Sequence, residues 1–306
     1  MPEPRRHLVS LEQVQLPDLA WIIGCADRHA GEPGTRRSLE NRSVGIYFDL
    51  TSTRTRTSFT IGALRLGANV IAYGPNDLQV NTGETMFDTC AVLSRMLDAL
   101  VIRAAHSNDQ LKTLTFQGDM AIINAMSFDE HPTQALADLT TMYQKFGQIE
   151  GLRVLYIGEG NSTASALCLA LAKFPQTQVH VRTPAEYGLP QFSLKLMRGR
   201  GYPGTVIEHH DMEDLPTAVD VVYTSRWQTT GTAKRHDDWR QRFALFKATT
   251  SLLDRYPAAI FMHDLPAHRG EEVDSAVIDG AQSVVYDQAE NKLYSAMAAL
   301  EWCMNI

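Results

Sequence analysis

Short β-branched runs alternate with amphipathic helical segments along this chain, and this alternation constrains the fold more than any other feature. In the first half the runs lie at 43–48, 69–73, 99–102 and 121–124. Such alternation is typical of parallel strands that are joined by helical crossovers. The pattern therefore predicts an open α/β sheet in the first half of the chain.

The same pattern begins again after Gly151. Periodicity predicts a last helix at 291–303 and helices between the strands of this second series. The predicted strands lie at 153–157, 178–182, 219–224, 260–263 and 283–286.

These two series predict two doubly wound, parallel-sheet α/β domains with an active-site cleft between them. We place the first domain at 1–146 and the second at 147–286. A C-terminal helix at about 287–306 is expected to pack back on the first domain.

Charge and cysteine content argue against several classes of protein. A formal net charge of -7 over 306 residues is unlike a nucleic-acid-binding surface, which needs clustered positive charge. Residues 1–15 are charged, and no run of about 18 apolar residues occurs, so we expect neither a signal peptide nor a membrane span. The cysteines form no CxxC pair and no His/Cys cluster at metal-ligand spacing, which favours buried thiols in a reducing cytoplasm. They are Cys25, Cys90, Cys168 and Cys303.

Segment 51–58 reads Thr-Ser-Thr-Arg-Thr-Arg-Thr-Ser, between a predicted strand and a predicted helix. Backbone N–H groups at a helix N-terminus have no partner within the helix and attract anions. Arg54 and Arg56 can add charge-assisted hydrogen bonds, and the hydroxyls around them can add more. The segment predicts a phosphate-binding turn, although a Ser/Thr-rich helix cap with solvent-facing arginines has the same composition.

Three further polar groups lie near the predicted strand ends. Arg103 follows an apolar strand and is expected at the carboxyl edge of the sheet. His131 and Gln134 begin a predicted helix and project from one face, where an imidazole and an amide suit a carbonyl that carries an NH2 group. Segment 263–270 contains several polar residues together with Pro and Gly, and this composition predicts a rigid loop that carries site residues. Taken singly, these features also fit a surface arginine, a capping histidine with a solvated glutamine, and a surface turn.

Together these segments resemble the aspartate/ornithine carbamoyltransferase family, from about Leu8 to the C-terminus. The motifs occur in the family's order and with family-like spacing. They are Ser52-Thr53-Arg54-Thr55-Arg56, Val101-Ile102-Arg103, His131-Pro132-Thr133-Gln134, Pro266-Ala267-His268-Arg269-Gly270-Glu271-Glu272-Val273 and Asp287-Gln288-Ala289-Glu290-Asn291.

The resemblance implies that carbamoyl phosphate is the first substrate and that an uncharged amine attacks its carbonyl carbon. No metal, nucleotide or other cofactor is implied. Arg103 would bridge the phosphate and the carbonyl oxygen, while His131 and Gln134 would hold the carbamoyl group. The phosphate would be held by Ser52, Thr53, Arg54 and Thr55. The implied catalytic residues are Arg54, Thr55, Arg103 and His131.

Three other positions match substrate-binding positions of the family. Leu265 lies in the loop 263–270, and Lys292 stands where the ornithine branch has an arginine near the carbamoyl group. Gln79 matches a residue of the ornithine branch that enters the site of a neighbouring subunit. The resemblance therefore implies a homotrimer with shared active sites.

The amine pocket departs from the ornithine branch. That branch has a Thr-Asp-x-Trp-x-Ser-Met-Gly pattern whose Asp and Ser hold the α-amino group. Here Ser225 replaces the Asp, and Thr229-Thr230 replaces Ser-Met. Ser162 follows Asn161 where that branch has a second Asn, and Asp264 replaces a cysteine. The pocket is thus altered at several positions that contact the amino acid.

Arg226 and Gln228 match instead the Arg-x-Gln pair by which the aspartate branch holds carboxylates. Asp264, however, would repel a dicarboxylic substrate by about 1 to 4 kcal/mol. We predict an ornithine-like or other diamino acid as the acceptor, with Asp264 binding or deprotonating its cationic amine. Aspartate and an amine of specialised metabolism stay as alternatives.

Two other classes of protein share parts of this pattern. Gly158-Glu159-Gly160 follows a predicted strand, as in a dinucleotide-binding fingerprint, but Thr163 stands where that fingerprint needs its third glycine. A non-catalytic, anion-binding paralogue would explain the changes at Ser225, Asp264 and Lys292. The complete set of carbamoyl phosphate motifs argues against it.

Overall fold

The computed structural model describes residues 5–32, 37–104, 106–229, 232–234 and 236–306. The chain divides into two compact units. Unit 1 comprises Met1–Thr140 and Glu290–Ile306, and unit 2 comprises Thr141–Ala289. Each unit contains a parallel sheet with helical crossovers, which confirms the predicted fold class.

Unit 1 contains a parallel sheet with the strand order β2-β1-β3-β4. Its strands β3 and β4 are buried along their whole length, as expected for a parallel sheet that is covered on both faces. The strands are β1 (Ser43–Phe48), β2 (Asn69–Tyr73), β3 (Ala99–Arg103) and β4 (Ala121–Asn124). The helices that lie wholly in this unit are α1 (Leu16–Gly31), α2 (Arg54–Arg65), α3 (Met86–Leu93) and α4 (Asn108–Leu114), with a 3-10 helix at Gln79–Thr82.

Unit 2 contains a parallel sheet with the strand order β7-β6-β5-β8-β9. The strands are β5 (Arg153–Ile157), β6 (Gln178–Arg182), β7 (Thr205–His209), β8 (Val221–Thr224) and β9 (Ile260–His263). The helices are α6 (Ser162–Leu171), α7 (Gln191–Arg200), α8 (Trp239–Phe243), α9 (Thr250–Asp254) and α10 (Ser275–Ile278), with 3-10 helices at Ala185–Tyr187 and Ala244–Phe246. Two longer helices, α5 (Pro132–Phe146) and α11 (Val285–Cys303), cross the boundary between the units along the chain.

The predicted strand at 283–286 is wrong. Ser283 forms one isolated parallel bridge with Phe261, and α11 begins two residues later at Val285. The β-branched residues there make a single rung of the sheet, too short for a strand. The predicted helix at 291–303 therefore begins six residues earlier than the periodicity indicated.

Three other elements differ from the prediction. Helix α2 begins at Arg54 rather than at Ser58, so most of segment 51–58 is helix instead of turn. Strand β7 was not predicted, because it is an edge strand whose exposed and half-buried residues give a weak apolar signal. Apolar residues at helical spacing predict a helix at 85–97, but α3 ends at Leu93, and the next residue, Ser94, donates its hydroxyl to the carbonyl of Gln117.

All four cysteines are buried free thiols, as predicted. Within the described parts of the chain, no helix combines the length and the hydropathy that crossing a membrane requires.

Candidate active site

Each sheet has a point where the strand order reverses, and some of the predicted site residues lie at or just after the ends of the strands at these two points. In unit 1 the order reverses between β1 and β3, whose ends pair at Phe48 and Arg103. In unit 2 it reverses between β5 and β8, whose ends pair at Ile157 and Thr224. Open α/β sheets bind ligands at this kind of crevice.

Segment 51–55 follows β1 and forms the N-terminus of α2. Thr53 is the N-cap residue, and among the described residues its side chain makes no capping hydrogen bond. The first N–H groups of α2 are therefore not used by the Thr53 hydroxyl. Ser52 and Arg54 are half-buried, Thr53 is exposed and Thr55 is buried. The helix thus begins inside the motif, and anion binding by this segment stays a prediction.

His131 lies immediately before α5 and is buried. Burial, reinforced by the charges of Lys292 and Arg103, holds the pKa of His131 well below its usual value. The imidazole is therefore neutral at pH 7 and can donate one hydrogen bond. Its Nδ1 lies 3.3 Å from Thr133 Oγ1.

Lys292, Gln134 and Asp138 form a buried chain of hydrogen bonds in unit 1. The Lys292 ammonium donates to Gln134 Oε1, and Gln134 Nε2 donates to Asp138 Oδ1 at 2.8 Å. The Gln134 amide is thereby fixed in one orientation. The structure thus places Lys292 in contact with Gln134, and the charges of Lys292 and Arg103 both act on His131. Their role in binding a substrate stays a prediction.

Glu130 is a buried residue whose importance the sequence did not reveal. Its carboxylate accepts hydrogen bonds from Ser10 Oγ at 2.6 Å, Leu11 N at 2.6 Å and Asn108 Nδ2 at 3.1 Å. Burial raises the pKa of Glu130 to about 7, although these hydrogen bonds oppose the shift. The network ties the N-terminal segment to the residue next to His131. Ser10 is 120 positions away, so local sequence carried no signal for it.

Gln79 begins the 3-10 helix after β2 and is exposed in the single chain. Its Oε1 accepts a hydrogen bond from Thr82 Oγ1 at 2.8 Å. The side chain is thus held at the surface of unit 1.

Ser225, the residue after β8, is buried and hydrogen-bonded within unit 2. Tyr156 Oη lies 2.7 Å from its Oγ, and Asn161 Nδ2 donates to the same oxygen at 3.1 Å. Asn161 follows Gly160, where a Cβ atom would lie 2.2 Å from the carbonyl carbon of Gly188. Only glycine fits this close approach. Gly160 therefore fixes the turn that carries Asn161.

Asp264 follows β9 and is partly exposed. Its Oδ2 accepts a hydrogen bond from Thr163 Oγ1 at 2.9 Å. The neighbouring His263 accepts from Leu265 N at Nδ1, at 2.8 Å, so its Nε2 carries the hydrogen that points to Glu272 Oε1, 3.2 Å away. Leu265 has a φ of 52°, in the left-handed region. This network fixes the backbone on both sides of Asp264.

Three side-chain polar atoms near the ends of β5 and β8 are buried without a hydrogen-bond partner among the residues that the structure describes. They are Ser162 Oγ, Arg226 Nε and Trp227 Nε1. Such atoms are rare in folded proteins, and two of these belong to residues predicted for the amine pocket. Gln228 donates to the carbonyl of Thr232 at 2.8 Å. Thr230, also predicted for this pocket, lies outside the described residues.

Lys234 is a further residue of this region that sequence reasoning missed. Its ammonium contacts the carboxylate of Glu159, and only 4% of its side chain is exposed. The ammonium also lies 4.8 Å from the ring centroid of Tyr187 and 4.9 Å from that of Phe243. Glu159 is 75 positions away, so the pair could not be read from local sequence.

Two models of one protein family match almost the whole chain. Residues 6–144 match the family model described as aspartate/ornithine carbamoyltransferase, carbamoyl-P binding domain. Residues 150–303 match the model for the Asp/Orn binding domain of the same family. The chain belongs to the aspartate/ornithine carbamoyltransferase family, and it is a carbamoyltransferase.

Individual relatives cover almost the whole chain. An ornithine carbamoyltransferase of Parafrankia sp. is 38% identical over 301 residues, which is 97% of this chain and 94% of the relative. One of Nostoc punctiforme is 39% identical over 297 residues, 96% of each chain. The solved structure of ornithine carbamoyltransferase from Pyrococcus furiosus superposes with a TM-score of 0.90 at 34% identity, covering 99% of this chain and 98% of that one.

Proposed function

We propose that this carbamoyltransferase transfers the carbamoyl group of carbamoyl phosphate to the side-chain amine of ornithine or a closely similar diamino acid. The products are a ureido amino acid and phosphate. The observation that carries the proposal is Asp264, a partly exposed carboxylate held at the end of β9 by Thr163. The relatives named ornithine carbamoyltransferase support the same acceptor.

The donor is bound by residues of unit 1. Phosphate oxygens accept hydrogen bonds from the α2 N-terminus and from Ser52, Thr53, Arg54 and Thr55. Arg103 bridges the phosphate and the carbonyl oxygen. Neutral His131 donates to that oxygen, on which negative charge grows as the amine attacks, while Gln134 and Lys292 orient the carbamoyl group. We assign Leu265 of unit 2 to the same substrate.

The acceptor is bound by residues of unit 2. Asp264 attracts the cationic amine and accepts its proton, because only the uncharged amine can attack. Arg226 pairs with the α-carboxylate, and Ser162 supplies a hydroxyl. The negative charge of Asp264 in this pocket repels a second carboxylate and so disfavours aspartate by about 1 to 4 kcal/mol. The remaining pocket contacts come from Asn161, Ser225, Gln228, Thr229 and Thr230.

We assign the two binding functions to residues 1–146 with the helix at about 287–306, for carbamoyl phosphate, and to 147–286, for the amine. Gln79 acts in the site of a neighbouring subunit of a homotrimer. Its exposure in the single chain supports this assignment.

Product analysis tests the acceptor. The enzyme is incubated with carbamoyl phosphate and an equimolar pool of ornithine, 2,4-diaminobutyrate, lysine, putrescine and aspartate. The ureido products are identified by mass, with Arg103→Ala as the control for non-enzymatic carbamoylation. The proposal expects the ornithine or diaminobutyrate product in excess. Carbamoyl-aspartate as the main product would contradict it.

A further inference from the structure

A second cluster of ionisable side chains lies in unit 1, apart from the substrate-binding residues described above. Cys25 and His29 are four residues apart on one face of α1, and Glu301 approaches them from α11. Cys25 Sγ lies 3.1 Å from Glu301 Oε2, and His29 Nε2 lies 2.8 Å from the same oxygen. The three potential ligand atoms all lie within 4.8 Å of one another, and all three residues are buried.

The cluster offers three kinds of ligand atom. Glu301 supplies a carboxylate oxygen, His29 an imidazole nitrogen and Cys25 a sulfur, whose thiol gives up its proton when it binds a metal.

We propose that Cys25, His29 and Glu301 form a binding site for a zinc-like divalent cation. Mixed sulfur, nitrogen and oxygen ligands in tetrahedral geometry are those that Zn²⁺ prefers. Zinc–ligand bonds of about 2.0 to 2.3 Å place tetrahedral ligand atoms roughly 3.3 to 3.7 Å apart. The distances from Glu301 Oε2 to Cys25 Sγ, 3.1 Å, and to His29 Nε2, 2.8 Å, therefore need to lengthen by roughly half an ångström.

Ser38 holds the carboxylate of Glu301, and a neighbouring cavity gives an ion access to the cluster. Ser38 Oγ donates to Glu301 Oε1 at 2.5 Å and so orients the carboxylate, as outer-shell partners of metal sites do. A cavity of about 390 Å³ opens onto Cys25, Ser38 and Glu301. Water from this cavity can occupy the fourth position of a tetrahedral ion. Arg28 also lines the cavity, where its guanidinium can face a bound thiolate.

A second group of potential metal ligands among the described residues contains no cysteine. It comprises His268, Glu271 and Glu272 in unit 2. Glu272 already accepts hydrogen bonds from His263 and from the backbone of His268. A cation bound there would give no thiolate signal, so a sulfur-specific measurement separates the two clusters.

Cobalt titration tests the proposal, because Co²⁺ replaces Zn²⁺ and absorbs in the near ultraviolet when a thiolate is bound. The full chain is treated with a chelator, kept reduced with a phosphine, and titrated with Co²⁺ alone. We expect a thiolate-to-cobalt band that saturates at one ion per chain and is lost on adding one equivalent of Zn²⁺. Ser38→Ala should weaken binding by roughly 10- to 100-fold.

Matched variants show which residues bind the cobalt ion that gives this band. Cys25→Ser should abolish it, whereas Cys90→Ser, which removes another buried thiol of unit 1, should retain it. His29→Gln and Glu301→Gln keep side-chain size and should weaken binding, with circular dichroism as the check on folding. A wild-type chain without the band contradicts the proposal, as does a folded Cys25→Ser chain that keeps it.

Discussion

Thr229 Oγ1 donates a hydrogen bond to Glu159 Oε2 at 3.1 Å, which joins the segment after β8 directly to the turn after β5. The other oxygen of the same carboxylate contacts the buried ammonium of Lys234. Tyr156 donates to the backbone carbonyl of Glu159 at 2.6 Å. Glu159 is therefore the point at which the predicted amine-binding segments are held together.

Lys234→Met should raise the KM for the amine about 10-fold and leave the KM for carbamoyl phosphate unchanged. Removing one partner of a buried ion pair destabilises the local fold by about 3 to 5 kcal/mol. If about 1.4 kcal/mol of this appears as weaker amine binding, the KM for the amine rises about 10-fold. Steady-state kinetics with each substrate varied in turn measures this split. Lys112→Met, which removes a partly exposed lysine of unit 1, is the matched control. Equal increases in both KM values would argue against a specific effect on the amine segment.

His131 should act as a neutral donor across the neutral pH range, because its pKa lies well below the usual value. His131→Ala should lower kcat by roughly 100- to 1000-fold, as for loss of one oxyanion donor. The ratio of wild-type to variant kcat should stay constant from about pH 5.5 to 7.5, since other titrating groups cancel in the ratio. An inflection of this ratio near pH 6.5 would show an imidazole that ionises normally.

Glu130 should make the free energy of unfolding depend on pH. Its pKa is raised from 4.5 to about 7, so between these values the folded chain keeps a proton that the unfolded chain has lost. The contribution of Glu130 to the free energy of unfolding is therefore complete below pH 4.5. It decreases by roughly 3 kcal/mol as the pH rises to about 7. Urea denaturation of the wild type and of Glu130→Gln at several pH values should show that the variant lacks this decrease. Glu32→Gln, at an exposed position, should behave like the wild type; the same pH slope in both variants would contradict the assignment.

Gln79 should act on a neighbouring subunit. Gln79→Ala and Arg103→Ala chains should each be inactive or strongly impaired alone. Mixed trimers of the two should regain part of the activity, because some sites then combine an intact Gln79 with an intact Arg103. Co-expression with two different tags and purification on both measures this recovery. Mixed oligomers no more active than either parent would place Gln79 in its own subunit's site.

Local sequence predicted most strands of the two sheets and the positions of polar residues at their ends. The apolar runs that form β1, β3 and β5 are continuous, and Arg103 directly ends one of them, so short-range pattern was sufficient. It failed at β7, where the edge strand is half exposed, and at Ser283, where a β-branched run makes only one bridge.

The sequence could not predict the long-range contacts between buried polar side chains. Glu130 with Ser10, Lys234 with Glu159 and Cys25 with Glu301 are separated by 120, 75 and 276 positions. No periodicity relates such residues. Their pairing follows only from the packing of whole elements, which the fold supplies.

The preference of wild type and Asp264→Asn for ornithine over aspartate tests the central claim most directly. Asparagine keeps the size of the side chain and can still accept the hydrogen bond from Thr163, but it removes the charge. Asp254→Asn, at an exposed position of unit 2, is the control. We predict that wild type prefers ornithine and that Asp264→Asn lowers kcat/KM for ornithine by roughly 10- to 100-fold, with KM for carbamoyl phosphate unchanged. A wild-type preference for aspartate, or an unchanged kcat/KM for ornithine in Asp264→Asn, would contradict the account.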